Sequence, residues 1–195
     1  MNILILKQLN YIIKNNKITD IYIIDRIRYG LEVLNYEVIK LIIILSLFIY
    51  LDKISNLFVI FYFTITIRTL TGGGHAKSQI SCLFTSIVIL VSTTILSSYL
   101  PPLNIISQLI IILPIIYFYL SKQFISKYKR AKKNSQTIKR NKIIVIISIV
   151  AWLIFSNLFL SYHLINCGLI YLIFLSSDFL LEVRKNEKKY QYESI

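Results

Sequence analysis

Two stretches of this chain leave little choice of environment. Ile80–Leu100 contains no charged side chain, and Ile143–Ser177 contains none if His163 is neutral. A helix needs about 20 mostly apolar residues to cross a bilayer, because backbone groups left unpaired in hydrocarbon are too costly. Composition agrees. The chain is 56% hydrophobic and 16% charged, with a mean hydropathy of +0.67, against about 25% charged residues in ordinary soluble domains. A soluble domain of this length could not cover itself with the polar side chains available, and disorder or a collagen-like fold is excluded by the same numbers. The expected fold is all-α, a polytopic integral membrane protein.

The spans follow from length and breakers. Pro101-Pro102 ends the Ile80–Leu100 run, since proline supplies no backbone donor and restricts the residue before it. Leu103–Leu120 predicts a second helix. Ile143–Ser177 would be roughly 52 Å long as one helix at about 1.5 Å per residue, so it predicts a hairpin with its turn in the polar segment Ser161–Gly168. Val38–Leu51 and Leu57–Ile67 are short, and are separated by Asp52, Lys53, Ser55 and Asn56. They reach spanning length if extended to Glu37 and Arg68 with Lys40 and Arg68 snorkelling to the interfaces; a re-entrant pair is the alternative. This gives six spans.

The net charge of +13 is concentrated rather than spread. Ser121–Lys142 carries Lys122, Lys127, Lys129, Arg130, Lys132, Lys133, Lys139, Arg140 and Lys142 and no acid. Such a loop marks the cytoplasmic side and predicts contact with lipid head groups rather than nucleic acid. Both termini and Arg68–Gln79 are then cytoplasmic. Ile5, Leu9, Ile12 and Ile13, then Ile21, Ile24, Ile27 and Leu31, recur at helical spacing among charged residues, which predicts one or two amphipathic helices. The expected organisation is an amphipathic segment over 1–37, a six-helix transmembrane domain over 38–182 with its basic loop at 121–142, and a cytoplasmic tail over 183–195.

One stretch carries chemistry. Arg68 leads through Thr69-Leu70-Thr71 to Gly72-Gly73-Gly74-His75-Ala76-Lys77-Ser78, and Cys82 follows. Three of five glycines, one of two histidines and one of two cysteines coincide here. A thiol nucleophile needs an imidazole to take and return its proton. On one continuous helix, seven residues separate two groups by roughly 10.5 Å, too far for the two to meet. The glycines permit a break instead. If Ser78 caps a helix beginning at Gln79, His75 lies in a connector that can fold back. Cys82 then sits in the first turns, where the helix dipole favours negative charge. Arg68 and Lys77 add positive potential. Taken singly, a cysteine in an apolar span is more often an inert small hydrophobe.

Asp178 is the only acid inside the last hydrophobic run. It is a candidate to orient His75, against a plain interfacial pairing with Arg184 or Lys185. Cys167 and His163 fall near the opposite membrane face from Cys82, which excludes a disulfide between the cysteines. Trp152 and the tyrosines read as interface anchors and packing groups. Two histidines and two cysteines so placed predict no zinc site, and no cofactor is expected.

This constellation resembles the motif of the accessory gene regulator B (AgrB) family of membrane endopeptidases, which carries an Arg, a Gly-Gly pair, a His-Ala and a downstream Cys. Arg68, Gly72-Gly73, His75-Ala76 and Cys82 stand in those places. Chain length, span count, basic loop and amphipathic N-terminus are similar too. The resemblance implies a cysteine endopeptidase that removes the C-terminal tail of a short AgrD-type precursor peptide and promotes cyclisation of the remainder to a quorum-sensing autoinducing peptide. It implies His75 and Cys82 as the catalytic pair, and it leaves room for a homodimer. A non-enzymatic scaffold or peptide exporter, with the glycines as a hinge, is the rival reading.

Overall fold

The computed structural model describes residues 3–16, 20–71, 79–121 and 135–193. Among them it is helical throughout, in the order α1 (Ile3–Asn16), α2 (Ile21–Tyr50), α3 (Ile54–Thr71), α4 (Gln79–Tyr99), α5 (Ile105–Ser121), α6 (Ser135–Phe159) and α7 (Tyr162–Glu193). Five of these, α2, α3, α4, α6 and α7, are long and apolar enough to cross a membrane. The apolar α5 has 17 residues, at the lower limit of what can span. Its Pro114 is tolerable, because neighbouring helices can re-satisfy the freed backbone carbonyl. The chain is a polytopic α-helical membrane protein.

It divides into two compact units, residues 1–52 and 53–195. In the first, α1 is too short to span and buries Leu9. It packs on α2, with Asn35 donating to Gln8 at 3.2 Å. Asp20 caps α2 by accepting from the Tyr22 backbone N–H at 2.9 Å, which satisfies a donor that the helix start would otherwise leave open. The 30-residue α2 then runs unbroken through Glu37 into the apolar segment. Only Asp25, Arg26, Arg28 and Glu32 bring charge into it before Tyr36. Asp52, at φ 53°, adopts the left-handed conformation just past its end, one that aspartate tolerates better than most residues.

In the second unit α7 is the hub, packing on α3, α4, α5 and α6. Its Cys167, Leu169, Tyr171, Leu172, Leu175 and Phe179 are buried. Small and polar side chains let the helices approach closely, as they must where lipid offers no hydrophobic drive for association. A Cβ on Gly168 would lie 2.6 Å from the Trp152 ring, so this glycine is what allows α6 to lie against α7. Trp152 is itself buried and packs edge-on against Phe63.

Two sequence-based boundaries move. The hairpin between α6 and α7 turns at Leu160-Ser161, and the segment 162–168 is helical. Likewise Ser55 and Asn56 belong to α3. The polar residues that suggested loops are there for tertiary reasons. The Asn166 side chain donates to the backbone oxygens of Leu100 and Pro101, at 3.2 and 3.1 Å. Asn56 donates to Ser97 at 3.4 Å, and the Cys167 thiol meets the Asn56 carbonyl. These contacts fix the directions of the helices. From this Pro101 end, α3 and α7 run together towards the opposite end, where α4 begins with Cys82 in its first turn.

Candidate functional site

The sequence Thr64-Ile65-Thr66-Ile67-Arg68-Thr69-Leu70-Thr71 closes α3, and its residues 64–68 form a π turn. The Thr69 N–H bonds the Thr64 carbonyl, five residues back. Alternating threonines explain the widening. Thr64, Thr66, Thr69 and Thr71 each turn their hydroxyl back on the carbonyl four residues earlier. Such bonds compete with the helical ladder and loosen it. A π turn of this kind is common where a helix has a task besides spanning.

Arg68 ends that turn and is half-buried. Four residues earlier in the same turn, the Thr64 hydroxyl meets the hydroxyl of Tyr171 on α7 at 2.7 Å. Tyr171 is 3% exposed. The Asp178 carboxylate is close enough to act electrostatically on Tyr171 and on Tyr119 of α5. It lies eleven residues beyond Cys167 on the same face of α7 and is half-buried. The Tyr119 ring stacks on Phe179 with centroids 5.5 Å apart, closing the wall beside it. The side chains of Arg184 and Lys185, the rival partners of Asp178, lie outside the described residues.

Cys82 is half-buried. It shares a face of α4 with Ser86, Leu90, Thr93 and Ser97, the last three of them buried, so the thiol is on the side of α4 turned into the bundle. The described part of the helix starts at Gln79, and Ser78, the expected cap, lies outside the described residues. Counting from the Asn56–Ser97 contact, Cys82 lies about 22 Å further along the bundle at 1.5 Å per residue, and Asp178 about 17 Å along from Cys167. Both are at the end away from Pro101. His75, Gly72, Gly73, Lys77 and Ser78 lie outside the described residues, as do Lys122–Asn134 of the basic loop.

The second cysteine and histidine are elsewhere. Cys167 is buried at the Asn56 contact, and His163 stacks on Tyr162 one turn before it. Both cysteines are thiols. Among the described residues, no three His, Cys, Asp or Glu side chains gather as metal ligands. A cavity of about 630 Å³ opens near the Pro101 end, lined by Phe58, Val59, Tyr62, Trp152, Phe155 and Leu164 among others. It is almost wholly apolar and remote from Cys82.

Sequence reasoning missed Tyr171 and Thr64. Tyr171 was one of fourteen tyrosines in an isoleucine-rich background. The signal was there in the spacing: Cys167, Tyr171 and Asp178 fall on one helical face, as do Thr64 and Arg68. Only the pairing of α3 with α7 brings the two sets together.

The family model for Accessory gene regulator B matches residues 5–181. No curated protein matches the chain. No solved structure matches it either.

Proposed function

Because the chain belongs to the accessory gene regulator B family, whose members process peptides in agr quorum sensing, we propose that it is a cysteine endopeptidase acting on an AgrD-type precursor. In this reading His75 takes the proton of Cys82, the sulfur attacks the scissile carbonyl, and the imidazolium returns the proton to the leaving amine. The C-terminal tail departs and an acyl-enzyme thioester remains. A thiol or hydroxyl within the peptide then attacks that thioester, freeing Cys82 and closing a ring. Water would hydrolyse the same intermediate, so a site at the edge of the bilayer suits the transfer.

The observation that carries the reading is the position of Cys82. It is half-buried in the first turn of α4, on the side turned into the bundle. It directly follows the segment that supplies the family's glycines and histidine. The start of a helix presents positive partial charge to a sulfur anion, and Arg68 and Lys77 add to it. Gly72 and Gly73 give the connector the freedom to return His75 to the sulfur. Asp178 is the proposed orienter of the imidazole. The site faces the cytoplasm, on the same side as both termini and the basic loop, whose lysines suit lipid head groups and an acidic peptide tail.

The test is cleavage of a C-terminally tagged AgrD-type precursor by the full chain in liposomes. Cys82→Ser and His75→Ala should leave the precursor intact, and Asp178→Ala should slow its cleavage. A Cys82→Ser protein that still shortens the peptide overturns the assignment and leaves the glycine segment as a hinge in an exporter.

A further inference from the structure

The Pro101 end of the second unit holds a cleft that the proposed chemistry leaves unused. Ser55, Phe58, Val59 and Tyr62 line it from α3. They recur at i, i+3, i+4 and i+7, and so share one face of that helix. Trp152 and Phe155 line it from α6. The two helices meet at its inner end, where α6 packs on residues 64–71 of α3 and the Tyr62 hydroxyl donates to the Ser148 carbonyl at 2.9 Å. The Tyr62 and Trp152 rings, with centroids 5.8 Å apart, form the floor. The rim is open to whatever surrounds the bundle, with Phe58 67% and Phe155 52% exposed. About 630 Å³ of space lies between these walls. Water does not suit it, since a held water needs several polar partners and the Tyr62 proton is already given to Ser148.

We propose that this cleft binds an anionic phospholipid of the leaflet at the Pro101 end, with an acyl chain on Tyr62 and Trp152 and the phosphate at Lys53. The depth fits a single leaflet. Ser55 and Tyr62 are about 10.5 Å apart along α3 at 1.5 Å per residue, within the roughly 15 Å that one leaflet contributes to the hydrocarbon core. An acyl chain in the cleft recovers the dispersion contacts that a gap forfeits. Charge selects the head group. Lys53 stands at the start of α3, two residues before Ser55 at the rim. It is exposed and, among the described residues, belongs to no ion pair. It is also the only charged residue in 53–60, 97–108 and 156–166, the segments of the second unit at this end. The first N–H groups of a helix favour a phosphate as well.

Trp152 is the only tryptophan of the chain, so its fluorescence reports on the cleft directly. The full chain is placed in phosphatidylcholine vesicles with rising fractions of phosphatidylglycerol brominated along its acyl chains, bromine being a contact quencher. Half-maximal quenching should come at a mole fraction about fivefold lower than with brominated phosphatidylcholine, the preference expected of one lysine beside an anionic head group. Lys53→Gln should remove that preference while both lipids still quench. Ala151→Phe, which fills the rim from the α6 side, should protect Trp152 from both. Equal half-maximal fractions for the two lipids in the parent protein, or a preference that survives Lys53→Gln, would overturn the assignment of an anionic lipid. Quenching of Ala151→Phe at the parent level would show that the lipid lies elsewhere. A tryptophan that neither lipid quenches in the parent would mean that protein, such as a second copy of the chain, covers the cleft, and the proposal falls. No precursor is cleaved in this measurement, so its outcome does not depend on whether Cys82 is a nucleophile.

Discussion

The two ends of the second unit use the same kinds of polar side chain for different purposes. At the Pro101 end, amides and hydroxyls close on partners that hold helices together. Gln108 and Asn157 exchange two bonds, at 3.1 and 2.9 Å. Asn166 satisfies the last carbonyls around α4, and Asn56 joins Ser97. Among the described residues, no ionised group takes part in these contacts. At the Cys82 end, the hydroxyls of Thr66, Thr69, Thr71 and Ser86 instead turn back on carbonyls of their own helices, near the half-buried Arg68 and Cys82. Neutral amide pairs in lipid act as glue, whereas hydroxyls bonded within their own helix join nothing across the bundle. The comparison teaches that substitutions at the first end should alter stability, and those at the second should alter turnover.

The strongest test of that division is Gly168→Val. Its side chain would enter space held by the rigid, buried Trp152 ring, 2.6 Å from the first added carbon. Overpacking of this kind costs about 3 kcal/mol, which should lower the detergent melting temperature well below that of every other variant here. Folded molecules that survive should still cleave precursor. Normal stability would show that α6 and α7 are not held at this contact.

A smaller loss is expected of Asn166→Leu, which leaves the Leu100 and Pro101 carbonyls without their donor. Stranding buried polar groups costs about 2 kcal/mol, read as reduced resistance to denaturation in mixed micelles. Cleavage per folded molecule should not change. If it falls as far as in Asp178→Ala, the two ends are not separable and the comparison breaks.

The smallest effect should come from the Gln108–Asn157 pair. Gln108→Leu alone should destabilise by about 1 kcal/mol, within the range measured for interhelical bonds in membranes. Replacing both residues by leucine should recover part of that, since no polar group is then left unmatched. A double variant less stable than either single one would show that the pair contributes more than mutual satisfaction.

Much of this molecule was legible in the chain itself. Charge-free runs ended by Pro101-Pro102 located α4 and α5. The coincidence of rare residues between Arg68 and Cys82 pointed to the family that the whole chain matches. The hairpin turn was misplaced because Asn166, Cys167 and Gly168 have the composition of a loop. In the folded protein Asn166 caps a neighbouring helix and Gly168 admits a tryptophan, so both stand inside α7. Polarity in a span records a need for a partner, and sequence does not say whether water or another helix supplies it.

Length, hydropathy and the positions of charge were enough to require a membrane-spanning helical protein, because the cost of bare backbone in lipid is the same wherever it occurs. The rare residues were enough to suggest a chemistry. What the chain alone did not contain was which helix lies beside which. That decision turned Tyr171 from one aromatic among many into the partner of Thr64, since hydrogen bonds act over about 3 Å and only tertiary contact brings groups 107 positions apart to that range.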